Sequence, residues 1–216
     1  MTNTVVIIDY GSGNLRSAAK AFEYVIRETH MDTRVVVSSE PDHIASADHI
    51  VLPGVGAYGD CINGLRARSG VVDAMKQAVV QNGQPFLGIC VGMQLLASVG
   101  REFGNHDGLG WIDGDVVALE PKDVSLKIPH MGWNNLSTDG AMHPVACSIE
   151  EGVHAYFVHS YHMRASNPAH VLATTDYGGP VTAIVGKDNM IGTQFHPEKS
   201  QATGLRILTR FLQWKP

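Results

Sequence analysis

The amino-acid sequence predicts an α/β fold, a mostly parallel central sheet flanked by helices, with antiparallel strands added in its second half. Three observations carry this. Between Val5 and Ile89, short apolar runs alternate with stretches of helical period, the order that builds a parallel sheet through right-handed crossovers. The runs are continuous rather than alternately apolar and polar, so they read as strands buried on both faces. After Leu96, strand-like pieces follow one another with few helical patterns between them.

The elements follow in order. Val5–Ile8 is the first strand, closed by Asp9 and the turn residues Gly11, Ser12 and Gly13. From Leu15, the apolar positions Leu15, Ala18, Ala19, Phe22, Val25 and Ile26 recur at helical spacing. Arg34–Val37 is the second strand, and Ser39-Glu40-Pro41 starts a helix with proline in its first turn. His49–Leu52 is the third strand and runs into the glycine-rich PGVGAYGD. A helix is expected over Val71–Gln81 and a fourth strand over Pro85–Ile89. The later strands are Asp115–Leu119, Tyr156–Tyr161, Val171–Thr175, Val181–Val185 and Met190–Phe195, with a last helix over Leu205–Gln213.

At 216 residues the chain has room for one sizeable core. No repeat, low-complexity tract or linker divides it, so residues 1–216 are expected to form a single domain. A net charge of -5 lacks the footprint of a nucleic-acid or anionic-membrane binder. Three cysteines are too few, and odd in number, for a disulfide scaffold, which fits a reducing cytoplasm. The first apolar run is too short for a signal peptide or a membrane span.

The chemistry centres on PFLGICVGMQLL, Pro85–Leu96, where Cys90 stands between Gly88 and Gly92. G-x-C-x-G is the thiol form of the nucleophile elbow: a strained strand-to-helix turn holds the nucleophile, and the glycines let neighbouring chain approach. The positive end of the following helix would favour the thiolate. The Val91 N–H would face an oxyanion. Cys61 and Cys147 have no such setting and read as structural. A base is supplied by GTQFHPEKS, Gly192–Ser200, because in an extended chain His196 and Glu198 point the same way. The carboxylate would orient the imidazole. A second oxyanion donor is expected from PGVGAYGD at the carboxyl edge of the sheet, where Gly54 and Gly56 would let the Val55 N–H turn inward.

Two other readings fail. Gly11-Ser12-Gly13-Asn14-Leu15-Arg16 lacks the third glycine of a dinucleotide fingerprint, and no Walker sequence is present. His154, His159 and His162 fit neither strand alternation nor one helical face and have no thiol or carboxylate at ligand spacing, so no metal is expected.

GICVGMQ with FHPE downstream resembles the class I (triad) glutamine amidotransferases. DYGSGNLRS, PHMGWN, YFVHSY and GTQFHPEKSQ bring the resemblance closest to the glutaminase subunits of imidazole glycerol phosphate synthases. The resemblance implies a flavodoxin-like domain that hydrolyses glutamine to glutamate and ammonia through a thioester on Cys90, with no cofactor. It implies Gln94 and the backbone at His159, Ser160 and Tyr161 as contacts for the amino-acid end of the substrate, and Glu102 for its ammonium. It also implies a heterodimer with a (β/α)₈ cyclase subunit that receives the ammonia, docked through Asn14, Met131, Trp133 and Lys199. A related glutaminase serving surface-sugar amidination or pyridoxal phosphate synthesis, or a non-catalytic binding subunit, stands as the alternative.

Overall fold

The computed structural model describes residues 2–138, 143–150 and 152–216. Its first half contains β1 (Asn3–Ile8), α1 (Leu15–Thr29), β2 (Thr33–Ser38), α2 (Pro41–Ala45), β3 (His49–Gly54) and α3 (Tyr58–Ala67). There follow α4 (Val71–Met75) with a π-helical continuation over Lys76–Gln81, β4 (Phe86–Cys90) and the single turn α5 (Val91–Gln94). The second half holds β5 (Val99–Gly100), β6 (His106–Asp107), β7 (Gly114–Ala118), β8 (His130–Asn135), β9 (His154–His159) and β10 (Tyr161–Ala165). It ends with β11 (Val171–Asp176), β12 (Pro180–Lys187), β13 (Met190–Thr193) and α6 (Gln201–Gln213).

The main sheet has the order β11-β12-β13-β4-β3-β1-β2. β2, β1, β3, β4 and β13 are mutually parallel, and β12 and β11 add antiparallel at one edge. Burial explains the continuous apolar runs: Val5–Ile8 is wholly inaccessible, and every residue of β3 and β4 is buried, as strands covered on both faces must be. The crossover β1→β2 runs one way along the sheet and β2→β3→β4 the other. Right-handed connections therefore put α1 on one face and α2, α3 and α4 on the opposite face. α1 buries Ala18, Phe22 and Val25 and packs with α6, while α2 packs with α4.

Several expectations need correction. Helix α3 has no clear sequence signal; its glycines, Gly59 and Gly64, dilute the apolar period. The single strand expected over Tyr156–Tyr161 is two, broken at Ser160: β9 pairs with β8 and β10 with β7 in a separate sheet. β8 itself carries glycine and two asparagines and has weak strand propensity; pairing with β9 makes it a strand.

The close approach of elements at the elbow fixes the fold where it matters. A side chain at Gly92 would place its Cβ 1.8 Å from the Leu52 carbonyl oxygen, and one at Gly88 would lie 2.7 Å from the Gly92 oxygen. Both obstacles are backbone. Gly92→Ala is therefore expected to cost about 3 kcal/mol or more, read as a lowered denaturation midpoint; a variant as stable as the parent would contradict this packing.

Candidate active site

Cys90 closes β4 and opens α5 with φ 55° and ψ -112°. A non-glycine residue there is strained, and the strain lifts the side chain off the sheet's carboxyl edge. In register it lies beside Gly54 of β3. Gly54 does not line the cavity: a Cβ there would meet the Gly92 nitrogen and the Tyr10 hydroxyl, each at 2.8 Å, so its glycine serves the close approach of β3 to the elbow. The helix expected to polarise the sulfur is one turn long, too short for a substantial dipole. Side chains take over that task. His196 lines the same cavity as Cys90, whose interaction favours the charged ring, and Gln194 Nε2 donates to Sγ at 3.7 Å.

His196 and Glu198 do come together, although not by strand alternation. β13 ends at Thr193, and Pro197–Lys199 forms a 3₁₀ turn that carries Glu198 back to the ring. The Nδ1···Oε1 distance is 2.8 Å, with both side chains only 2% exposed. The His196 backbone is pinned by its N–H to the Tyr156 carbonyl (3.0 Å) and by Ser200 Oγ donating to its own carbonyl (2.7 Å). Burial alone would push the imidazole's pKa down, but its bonds and charge interactions with Cys90 and Glu198 outweigh that and raise it to about 9.

The cavity beside Cys90 has a volume of about 270 Å³ and is lined by Cys90, Val91, His196, Gln94, Glu102, Val55, Gly56, His159, Ser160 and Tyr161, with Pro129 and Val158 added. Glu198 stands behind His196 and does not line it. Gln94 is buried; its Nε2 donates to the Tyr161 carbonyl (2.9 Å) and to Gln194 Oε1 (3.0 Å). Glu102 accepts the Tyr58 N–H on Oε2 at 2.6 Å, which leaves its other oxygen for a cation. As the first residue of α5, Val91 has an N–H with no acceptor inside the helix.

Val55 is placed differently from expectation. Its N–H donates to Ser12 Oγ (3.1 Å), and its carbonyl accepts from Ser12 Oγ (2.7 Å) and Cys61 Sγ (3.3 Å). The second oxyanion donor is thus turned away from the cavity. Cys61, read from sequence as structural, is part of that latch, and Ser12 escapes a sequence reading because serine in a glycine-rich turn looks like ordinary loop chemistry. Gln194 escapes it too, hidden one residue from an apolar strand. Its signal is an amide set within an apolar segment, between a buried strand and Phe195.

Among the predicted docking residues, Met131 and Trp133 are 62% and 46% exposed on β8. Trp133 meets Tyr156 edge-on, and Lys199 Nζ lies over the same Tyr156 ring, so three side chains form one face. Asn14, half-buried, stands at the N-terminus of α1 without a side-chain capping bond, and α1 touches the Pro197–Lys199 turn. His159 bonds His130 and the Tyr161 carbonyl. Among the described residues no group of three or more His, Cys, Asp or Glu side chains is placed to hold a metal ion, and no helix is long and apolar enough to cross a membrane.

The model for glutamine amidotransferase class-I domains matches residues 6–214. The imidazole glycerol phosphate synthase subunit HisH of Rhodospirillum rubrum is 54% identical over 212 residues, covering 98% of this chain and 99% of its own. The protein of that name from Agrobacterium fabrum is 57% identical over 215 residues, covering 98% and 99%. Among solved structures, one described as a glutamine amidotransferase superposes with a TM-score of 0.68 at 19% identity, over 96% of this chain and 97% of the other. A glutamine amidotransferase from Thermotoga maritima gives 0.60 at 16% identity, over 99% and 84%. Both support the fold.

The raised His196 pKa has a consequence for pH. The protonated ring is favoured in the folded protein, so its contribution to stability is complete below the ordinary histidine value of about 6.5 and is lost as pH rises through about 9. In Cys90→Ala the His196 titration, followed by NMR, is expected to move to lower pH, because interactions with Cys90 hold it up. An unchanged midpoint would show that the sulfur and the ring do not interact.

Proposed function

The chain belongs to the class I glutamine amidotransferase family, and from that premise we propose that it is the glutaminase subunit of an imidazole glycerol phosphate synthase, acting as one domain over residues 1–216 in the cytoplasm. The observation that carries the chemistry is that Cys90 and His196 line one cavity of about 270 Å³, with Glu198 hydrogen-bonded to the ring from behind at 2.8 Å. Near-full-length relatives at 54–57% identity with that name favour this acceptor pathway, in histidine biosynthesis, over sugar amidination or pyridoxal phosphate synthesis.

In this reading, glutamine enters with its ammonium between Glu102 and Gln94 Oε1, and with its side-chain amide over Cys90. The thiolate attacks the amide carbon, and a C–S bond forms as the carbonyl electrons move onto oxygen. The Val91 N–H stabilises that oxyanion. His196, protonated and held by Glu198, gives its proton to the amide nitrogen as the C–N bond breaks and ammonia leaves. The same ring then takes a proton from water, which opens the thioester and releases glutamate.

Ammonia set free in water is protonated and lost, so the product is useful only when a partner receives it. We place the cyclase on the Met131, Trp133 and Lys199 face, where large exposed side chains with a polar surround suit an interface centre. The Ser12 latch on Val55 means that the free chain is expected to turn over glutamine slowly and to speed up when the liganded cyclase is bound.

Two experiments test this. Cys90→Ser in the complex is expected to abolish synthesis from glutamine while sparing synthesis from added ammonia; loss of both, or of neither, would sink the assignment. Ser12→Ala, which removes both bonds to Val55, is expected to raise glutamine turnover of the free chain by roughly tenfold, the equivalent of about 1.4 kcal/mol. Turnover at or below the parent rate would show that the latch does not restrain the loop.

A further inference from the structure

A buried polar chain runs from β8 to the reactive sulfur. Asn134 Nδ2 meets His130 Nε2 at 3.2 Å and also donates to the Asp176 carbonyl at 2.8 Å. His130 Nδ1 meets His159 Nε2 at 3.0 Å, and His159 Nδ1 meets the Tyr161 carbonyl at 2.9 Å. That carbonyl also accepts a hydrogen bond from Gln94 Nε2, which donates again to Gln194 Oε1, and Gln194 Nε2 donates to Cys90 Sγ. His130, His159, Gln94 and Gln194 are all buried, Gln194 completely.

The direction of every bond is dictated by the two carbonyls, which can only accept. The Asp176 carbonyl forces the amide nitrogen of Asn134 toward His130, so His130 Nε2 must accept and its Nδ1–H must donate. His159 then accepts at Nε2 and donates from Nδ1 to Tyr161. The Tyr161 carbonyl in turn demands the nitrogen of Gln94, whose second proton fixes Gln194 with its oxygen toward Gln94 and its nitrogen toward sulfur. Burial pushes His130 down to about 4 and His159 to about 3, so both rings are neutral, as one donor and one acceptor each requires. Both Gln94 protons are spent, so Oε1 is the polar atom it has left for the cavity it lines.

We propose that Gln194 is a hydrogen-bond donor to the Cys90 thiolate, and that Asn134, His130 and His159 are positioning residues that hold the Tyr161 carbonyl, the acceptor on which Gln94 and Gln194 are oriented. This rests on the glutaminase reading above. One end of the chain gives the sulfur a donor; a branch gives the substrate ammonium an acceptor. A reversed Gln94 would present protons to that ammonium. The chain starts on the strand whose outer face carries Met131 and Trp133, since β8 alternates His130 and Asn134 inward with those two outward.

The test uses the complex with its cyclase, assayed with glutamine, and the alkylation rate of Cys90 by iodoacetamide at one fixed pH. Gln194→Met, near in shape but without a donor, is expected to lower kcat on the order of tenfold to hundredfold with KM nearly unchanged, and to slow alkylation. Gln194→Leu, likewise without a donor and without added charge, provides a second route to the same losses. His159→Leu is expected to raise KM on the order of tenfold with kcat little changed. His159→Asn, whose amide replaces the Nδ1–H, is expected to recover much of that rise. Parent kcat and alkylation rate in both Gln194 variants would overturn the donor role. An unchanged KM in His159→Leu, or no recovery in His159→Asn, would overturn the positioning role. Cys90→Ser run alongside separates the two levels: if it matches the parent rate the glutaminase reading fails, whereas alkylation still reads the Gln194 contact without substrate.

Discussion

The molecule depends on one backbone constraint, the left-handed conformation forced on Cys90 between β4 and α5. A cysteine does not adopt φ 55° unprompted; the cost is of the order of 1–3 kcal/mol. It is held by the Gly92 backbone pressed against Leu52 and by Gly54 against α5, contacts that only residues without side chains allow. Because these contacts lie within fully buried parallel strands, the stability of the core sets the geometry of the sulfur. The elbow is thus a place where hydrophobic burial supports strain.

Once the sulfur is fixed, the rest of the site is a question of who bonds whom. His196 and Glu198 sit on a turn pinned by β9 and Ser200, so the imidazole is held in one orientation. Gln194, one residue past β13, arrives by the neighbouring parallel strand, and Gln94 by the helical turn after Cys90. Every one of these groups comes from the carboxyl end of the parallel sheet, where doubly wound folds place their ligands. The two-stranded β8–β9 sheet is a bridge: one side faces the cavity and the other offers exposed aromatic and sulfur-bearing side chains.

Much of this was legible in the residues. Continuous apolar runs gave away the parallel strands because burial on both faces leaves no polar alternation, and glycines on either side of Cys90 revealed the elbow because no other residue fits. The pairing of His196 with Glu198 is legible for a reason that is locally wrong, since a 3₁₀ turn rather than an extended strand brings them together. What stayed hidden were features that depend on contacts distant in sequence. β8 becomes a strand only through β9. Ser12 latches Val55 across 43 positions. Gln194 gains its meaning from Gln94, which is 100 residues away. No local pattern carries such pairings, and the direction of the Val55 N–H is decided by which partner the loop meets, not by the glycines that permit both choices.

The central claim is that Cys90, and no other thiol, carries the acyl group of glutamine. The direct measurement is peptide mass spectrometry of the complex quenched in acid during turnover of glutamine. A glutamyl thioester on the peptide containing Cys90 is the result this account requires. Turnover with that peptide unmodified, or an acyl group on Cys61 or Cys147 instead, would contradict it.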